Sequence, residues 1–281
     1  MSVDPAKQLI QDCIALPALP RVVAKIDALA VDPEVGAREI GSAVAEHAPT
    51  AARVLKIANS AYFGLRERVA TTEHATAVLG VRTLRTVAMQ ASVIAQFEHL
   101  ESSSEFDVEA LWKHAILTGH VGAAIVKKSR TKLGLSFEEA QVTGLLHDIG
   151  QVLMLEAMPE TFLDAMHAAH TGGEPEHVCE ERRMGFHHAQ VGALVAVHWG
   201  LPRRLCDAIA DHHDVERILE RAPAPALIAL SDLLVHEVER KDLVAAAAAI
   251  DESAQVVLGI GSEDVAQVVE FAARTRTLIE V

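Results

Sequence analysis

The chain has 281 residues, half of them hydrophobic and only 4% aromatic, with 39 acidic residues against 25 basic ones. A formal net charge of −14 argues against a broad contact with a phosphate backbone, and so against nucleic-acid binding. A core poor in aromatic residues must be built mainly from Ala, Val, Leu and Ile, and Ala-rich segments favour helices over strands. We therefore predict an all-α fold, as one large or two smaller domains.

Cysteine usage and hydropathy narrow the class of protein further. The three cysteines, Cys13, Cys179 and Cys206, are odd in number and far apart, which argues against a disulfide framework or a thiolate zinc site. The N-terminal residues lack the basic and apolar regions of a signal peptide, and no segment reaches the roughly 18 apolar residues of a membrane span. We expect a cytoplasmic protein that does not contact a membrane.

Prolines and glycines divide the first hundred residues into short helices. Pro17 and Pro20 interrupt a first amphipathic helix and open the next one. That second helix ends near Asp32-Pro33, because the residue before a proline leaves helical space. Thr71 offers cap chemistry for a later helix, which Gly80 ends. The predicted helices here are 1–15, 22 to about 32, 36–46, 50–60, 75–79 and 81–97.

A polar segment over residues 98–107 separates these helices from a second helical region. The first helix of that region carries His114 and runs to about Lys128. Ser136 and Glu139 then form the capping-box pattern of a helix that leads to His147-Asp148. Later helices are predicted over 151–157, 160–169, 175–183, 188–199 and 203–213, on a segment that follows Pro223 and Pro225, and as two or three tail helices, the last over 263–279.

The stretch Gly144–Gln151 places an imidazole and a carboxylate, His147 and Asp148, at the end of an apolar helix. Such a pair suits Zn²⁺, Mn²⁺ or Fe, and burying it is costly unless something pairs with it. A bound metal would meet that need, and so would a hydrogen-bond network. The pair alone leaves both interpretations open.

Two further polar residues lie on apolar helices on either side of this pair. His114 taken alone would be an ordinary core imidazole. Asp232 needs a partner if it is buried, and the basic alternatives are Lys113, Arg203 and Arg204.

The remaining candidates are histidines in neighbouring pairs. His188 is preferred to His187 because of its spacing to Gly192. His212 and His213 would face directions about 100° apart on a helix, so both can face one site only near a helix end, and the alternative is that one lies on the surface. The other histidines are interpreted as ordinary: His47, His74, His99, His120, His167, His170, His177, His198 and His236.

The complete set, in the order H … HD … H … HH … D, resembles the metal-dependent phosphohydrolase pattern of the HD superfamily, in the seven-ligand form of its HD-GYP branch. Other motifs extend the likeness, and the chain resembles the HDOD family, the bacterial HD-related output domain, over about residues 16–240. These motifs are Leu16–Pro20, Arg53–Gly64, Leu79-Gly80 with Leu84-Arg85, Trp112–His114, Gly144–Gly150, His188–Gly192, Trp199–Pro202 and His212-His213.

The resemblance implies an N-terminal helical subdomain packed on an HD-type helical core. We expect the subdomain over residues 1–100, the core over 106–240 and a helical tail over 241–281. The resemblance also implies a role as an output or scaffold module in bacterial signalling, with any input supplied by a separate signalling protein. Many members of the family have lost part of the catalytic set.

Several residues of this chain differ from the HD-GYP pattern, and these differences affect the activity that the resemblance implies. Gln151 stands where that branch has a lysine suited to a phosphate, and no Gly-Tyr-Pro follows His212-His213. Both weigh against cyclic-di-GMP hydrolysis. Asp232, in contrast, keeps the final metal-binding acid of the superfamily, which many HDOD members lack. His47-Ala48-Pro49 stands where the family usually has an acidic residue before proline.

Two hypotheses follow. The first is a non-catalytic signalling module that acts through protein–protein contacts. The alternative is a metal-dependent phosphohydrolase acting on a nucleotide or cyclic dinucleotide, with Asp148 as the catalytic candidate. It would use one or two divalent ions (Fe, Mn, Zn or Mg). By the resemblance, one metal would be held by His114, His147, Asp148 and Asp232, and a second by His188, His212 and His213 with Asp148 bridging.

Overall fold

The computed structural model describes residues 5–30, 32, 35–214 and 223–279. Within these residues the regular structure is entirely helical, in helices α1–α17, and contains no strand. This confirms the predicted all-α fold. None of these helices combines the length and the apolar character that a membrane-spanning helix requires. The three cysteines are free, in line with the sequence.

The chain divides into two compact units. The smaller unit spans Leu19–His99 and Arg274–Val281, as far as these are described. Its helices α3 (Ala37–Ala45) and α5 (Thr72–Leu79) pack closely, since a Cβ at Gly41 would lie only 2.5 Å from the Cα of Glu73. Its helices are α2 (Arg21–Ala30), α3 (Ala37–Ala45), α4 (Ala48–Ala58), α5 (Thr72–Leu79) and α6 (Val81–Gln96).

The larger unit spans the described parts of Met1–Ala18 and Leu100–Ala273. It therefore includes the first helix and most of the tail, which the sequence assigned to separate regions. Its helices are α1 (Pro5–Cys13), α7 (Val108–Lys128), α8 (Phe137–Leu146), α9 (Ile149–Ala157), α10 (Pro159–Gly172), α11 (Glu176–Met184), α12 (His188–His198), α13 (Arg203–Ala210), α14 (Pro223–Glu239), α15 (Leu243–Ala248), α16 (Glu252–Leu258) and α17 (Ser262–Arg276), of which the last begins in this unit.

Local signals account for most of these bounds. Thr71 caps α5, and Ser136 with Glu139 forms the complete capping box of α8. The predicted N-terminal helix is observed from Pro5, and residues 1–4 lie outside the described part of the chain, as does Pro33 of the predicted Asp32-Pro33 helix end.

Two predicted bounds differ from the structure near the site. Helix α13 ends at Ala210, so His212 and His213 lie in the following turn and not on the helix. Helix α14 is described from Pro223 and contains Pro225 near its start, where the missing N–H of a proline costs no helical hydrogen bond.

Two glycines let α7 and α8 cross at close range. A Cβ at Gly119 would lie 2.6 Å from the carbonyl oxygen of Gln141, and one at Gly144 would meet the backbone of Gly119. A larger side chain at either position would push the helices apart. The close crossing brings α7, which carries His114 one to two turns before Gly119, to the end of α8, which His147 directly follows.

Candidate metal centre

The larger unit brings together all seven polar residues singled out in the sequence. His114 lies on α7, His147 and Asp148 form the junction between α8 and α9, His188 is the first residue of α12, and Asp232 lies on α14. His212 and His213 follow α13. All are buried except His213, which is half-buried.

Asp232 is surrounded by imidazoles. Its Oδ1 lies 2.9 Å from Nε2 of His114 and 3.7 Å from Nε2 of His147. The basic side chains considered as its partners are engaged elsewhere, since Lys113 pairs with Glu109, Arg203 with Asp207 and Arg204 with Glu139. Of the two alternatives that the sequence offered for Asp232, the structure shows imidazole partners and not basic ones.

Asp148 is the second carboxylate of the centre that is surrounded by imidazoles. It is the N-cap residue of α9, but its side chain makes no capping bond and remains directed to the histidines. Its Oδ2 lies 3.1 Å from Nε2 of His147, and its Oδ1 lies 3.2 Å from Nε2 of His188 and 3.5 Å from Nε2 of His212. Asp148 therefore belongs to two groups of potential metal ligands, one with His114 and His147 and one with His188, His212 and His213.

The four buried imidazoles share one orientation. Each Nδ1 donates a hydrogen bond to an oxygen away from the centre, at Gly144 O (2.6 Å, from His147), Ile209 O (2.7 Å, from His212), Glu180 Oε2 (2.7 Å, from His188) and Glu239 Oε2 (3.0 Å, from His114). A hydrogen on Nδ1 leaves Nε2 as the free ligand atom, and all four Nε2 atoms face Asp148 or Asp232. Metal-bound histidines in proteins are held in this way.

Two of these nitrogens lack a hydrogen-bond partner. Nε2 of His147 and Nε2 of His212 are buried, and neither makes a hydrogen bond within the described part of the chain. A neutral Nε2 presents a lone pair, which the nearby carboxylate oxygens of Asp148 repel. A cation between the lone pair and the carboxylate relieves that repulsion. Likewise, Nε2 of His188 and Nε2 of His213 lie only 2.7 Å apart, so they must share a proton or another cation. The residues therefore fit a divalent metal.

In the absence of a metal, protons balance the charge of the centre. Burial lowers the pKa of His147, but Asp148 and Asp232 overcome that effect and raise the pKa to about 9. Burial raises the pKa of Asp148, but His147, His188 and His212 hold it well below its usual value. Burial, with help from His212 and His188, lowers the pKa of His213. A mixture of charged and neutral imidazoles around two carboxylates results.

Several residues of the site were not singled out in the sequence. Glu180, fully buried on α11, accepts hydrogen bonds from both the backbone N–H (2.8 Å) and Nδ1 of His188. It stands in the run Glu-Glu-Arg-Arg, which is typical of a solvated helix face. Glu239 and His236 follow Asp232 by seven and four residues on α14, and that spacing on one helix face was the available signal. His236 had been interpreted as ordinary.

Gln151 is buried on α9, one turn after Asp148. Its Nε2 donates to Oε2 of Glu176 at 3.2 Å. Burial raises the pKa of Glu176, to which the charges of Asp148 and Glu180 also contribute. The position at which the HD-GYP branch has a lysine is therefore occupied by an amide that is hydrogen-bonded to a carboxyl group.

In one all-helical unit, the residues of the pattern H … HD … H … HH … D therefore converge on two carboxylates. The model of the HDOD domain family matches residues 16–215, and the chain belongs to this family. The predicted family is thus confirmed.

Similar proteins agree with this fold. An HDOD domain protein of unknown function from Geobacter sulfurreducens superposes with a TM-score of 0.79 at 22% identity, over 98% of this chain and 97% of its own. A Shewanella amazonensis protein provisionally described as a phosphohydrolase superposes with a TM-score of 0.75 at 20% identity, over 98% of both chains. An uncharacterized protein of Treponema pallidum (strain Nichols) is 24% identical over 221 residues, 78% of this chain and 42% of that protein, so this chain spans less than half of the relative's length.

Proposed function

We propose that this protein is a signal-transduction module that holds divalent metal in its HD-type centre and acts through contacts with a partner protein. One observation carries the metal-binding part: the buried Nε2 atoms of His147 and His212 have no hydrogen-bond partner and face the carboxylate of Asp148. Family membership supports the signalling part, since HDOD proteins are regarded as output or scaffold modules of bacterial regulation.

The residues divide between two ions. His114, His147 and Asp232 would hold one, His188, His212 and His213 the other, and Asp148 would contact both. A divalent ion at such a site acidifies a bound water and polarises phosphate oxygens. Glu180 and Glu239 would keep His188 and His114 in the tautomer that presents Nε2.

The surroundings of the centre favour a non-catalytic output. Substrates of the HD superfamily carry phosphate, and Arg and Lys side chains bind phosphate through strong charge-assisted hydrogen bonds. The charged groups that chiefly set the pKa values of Asp148, Glu176 and Asp232 are all His, Asp or Glu. Gln151 adds an amide where a lysine would have served. We therefore infer that the centre holds the helical core in the shape that binds the partner protein.

Metal content tests the proposal directly. Protein purified without chelator is analysed for metals and, after chelation, titrated with Zn²⁺, Mn²⁺ and Fe²⁺. We expect at least one equivalent in the wild type and its loss in Asp148→Ala. Asp207→Ala, at an exposed carboxylate on α13, is the matched control and should bind as the wild type does. Less than about a tenth of an equivalent in the wild type would overturn the proposal.

A phosphohydrolase is the second candidate, because the seven-residue ligand set is complete, including Asp232. Its test is turnover of cyclic dinucleotides, nucleoside phosphates and generic phosphodiesters by protein loaded with Mn²⁺ or Fe²⁺. Robust turnover that is lost in Asp148→Ala and kept in Asp207→Ala would establish catalysis and overturn a non-catalytic output. No turnover by fully loaded protein would support the first proposal.

A further inference from the structure

His236 lies on α14 one turn after Asp232, at the edge of the metal centre. Its Nε2 is 3.3 Å from Oδ1 of Asp232, and its ring lies 4.4 Å from the ring of His114, with the two planes tilted by 31°. The pattern H … HD … H … HH … D contains no residue at this position. His236 is nevertheless closer to Asp232 than His147 is.

The two carboxylates of the centre have matching surroundings when His236 is included. Asp148 has three Nε2 atoms around it, those of His147, His188 and His212, at 3.1–3.5 Å. Oδ1 of Asp232 also has three, those of His114, His236 and His147, at 2.9, 3.3 and 3.7 Å. Without His236, Asp232 would have only two imidazole neighbours.

Glu239 lies behind both outer imidazoles of the Asp232 side and is hydrogen-bonded to that of His114. Its Oε2 lies 3.0 Å from Nδ1 of His114 and 3.9 Å from Nδ1 of His236, and the three side chains offer ligand atoms that all lie within 4.8 Å of one another. With Nδ1 directed to Glu239, each ring turns its Nε2 to Asp232. The hydrogen bond of Glu239 to His114 corresponds to that of Glu180 to His188 on the other side of the centre.

We propose that His236 is a ligand of the metal at Asp232, so that this ion is held by His114, His147, His236 and Asp232. The inference rests on the proposed metal binding and adds an eighth residue to the set. Three imidazoles and a carboxylate suit Zn²⁺, Fe²⁺ or Co²⁺ and disfavour Mg²⁺ or Ca²⁺, which prefer oxygen ligands. His236 is half-exposed, whereas His114 and Asp232 are buried, so His236 is the ligand of this ion that reaches solvent.

The competing interpretation is an exposed i,i+4 ion pair between His236 and Asp232. Such a pair contributes only about 0.3–0.5 kcal/mol and requires no metal. The two interpretations differ in what His236 does to metal affinity and to the spectrum of a bound ion.

Co²⁺ is the probe, because its visible absorption reports the number and kind of ligands. Chelator-treated wild type, His236→Ala, His236→Gln and Glu239→Gln are titrated with Co²⁺ in competition with a coloured chelator. His198→Ala, at an exposed histidine ending α12, is the matched control. Far-UV circular dichroism checks that each variant keeps its helices.

We expect both His236 variants to weaken one of the two Co²⁺ sites by more than the roughly 10- to 100-fold typical of losing an outer-shell partner, and to change its visible spectrum. Glu239→Gln should fall within that range, and His198→Ala should match the wild type. The contrary result is that the wild type binds Co²⁺ at two sites while both His236 variants keep the same affinity and spectrum. That result would overturn the role of His236 and leave the proposed metal binding standing. A wild type that binds no Co²⁺ would overturn both.

Discussion

The protonation of His147 and Asp148 shows how single residues carry the charge balance of the centre. Both are buried, and each shifts the pKa of the other toward its charged form against the effect of burial. The metal-free site is thus a set of ion pairs whose strength depends on pH. Metal must displace protons from these imidazoles, so we expect metal affinity to rise with pH.

For the metal-free protein, we predict a loss of stability at alkaline pH. The folded-state pKa of His147 is raised from 6.5 to about 9, so its contribution to stability is fully present below pH 6.5 and is lost as pH rises through about 9. The loss should be on the order of 3 kcal/mol. Denaturant unfolding in chelator between pH 6 and 10 measures it. In Asp148→Ala the dependence should be weaker, and a flat profile in the wild type would contradict the assignment.

Asp148→Ala should also destabilise the metal-free protein at neutral pH, by roughly 1–3 kcal/mol, because it removes the acceptor that faces three buried imidazoles. Since the folded pKa of Asp148 is depressed, its contribution is present above its unfolded pKa and is lost as pH falls through the folded value. Unfolding midpoints in chelator give the difference. If Asp148→Ala and Asp207→Ala unfold at the same midpoint as the wild type, the carboxylate has no structural role.

At the scale of helices, the close packing around Gly150 explains why a glycine lies two residues after Asp148. A Cβ at this position would lie 2.7 Å from the carbonyl carbon of His188 and would come closer still to its oxygen. Helix α9 can therefore approach the first turn of α12 only without a side chain there. Because Asp148 directly precedes α9 and α12 begins at His188, this contact sets the separation of two of the proposed ligands.

Gly150→Ala should therefore affect stability and metal binding together. We expect a loss of about 1–3 kcal/mol, since the clash is with backbone and cannot be relieved by a rotamer change. The affinity of the ion held by His188 should fall, while the ion near Asp232 is affected less. Gly172→Ala, at the end of α10 with nothing within 4 Å of the added Cβ, is the control and should do neither. Normal metal binding by a destabilised Gly150→Ala would separate the packing role from the ligand role.

At the scale of the whole molecule, the centre joins elements that are far apart in the chain. His114 and Asp232 are separated by 118 residues, and the other proposed ligands come from the α8–α9 junction, α12 and the turn after α13. A metal bound only by the folded state stabilises that state, by about 2.7 kcal/mol at a free concentration 100 times its dissociation constant. The stabilisation should extend to every element that supplies a ligand.

We predict that Zn²⁺ raises the thermal midpoint and slows amide hydrogen exchange in α7, α8, α12 and α14. Asp148→Ala should show neither effect, because it removes the residue common to both ligand groups. Thermal unfolding and exchange measured by mass spectrometry, with and without chelator, provide the test. Slower exchange confined to the surface of one helix would indicate adventitious binding instead.

The sequence by itself determined the helices, many of their caps and the family. Proline, glycine and capping residues act over a few positions, so the box at Ser136 and the end of the helix at Gly80 could be identified from neighbours along the chain. Polar residues on apolar helices, such as His114 and Asp232, stood out because an unpaired buried charge is costly. Their order alone identified the candidate set.

Only the tertiary structure decided how these residues meet. The end of α13 at Ala210 frees His212 and His213 from the helical 100° separation, and both turn to one centre. The burial of Glu180 inside a run of charged residues, and the approach of His236 and Glu239 to His114, depend on which helices pack together. Helix signals are local and survive in the isolated sequence, whereas the contacts that assemble the centre depend on tertiary packing and reach across as many as 118 positions, from His114 to Asp232.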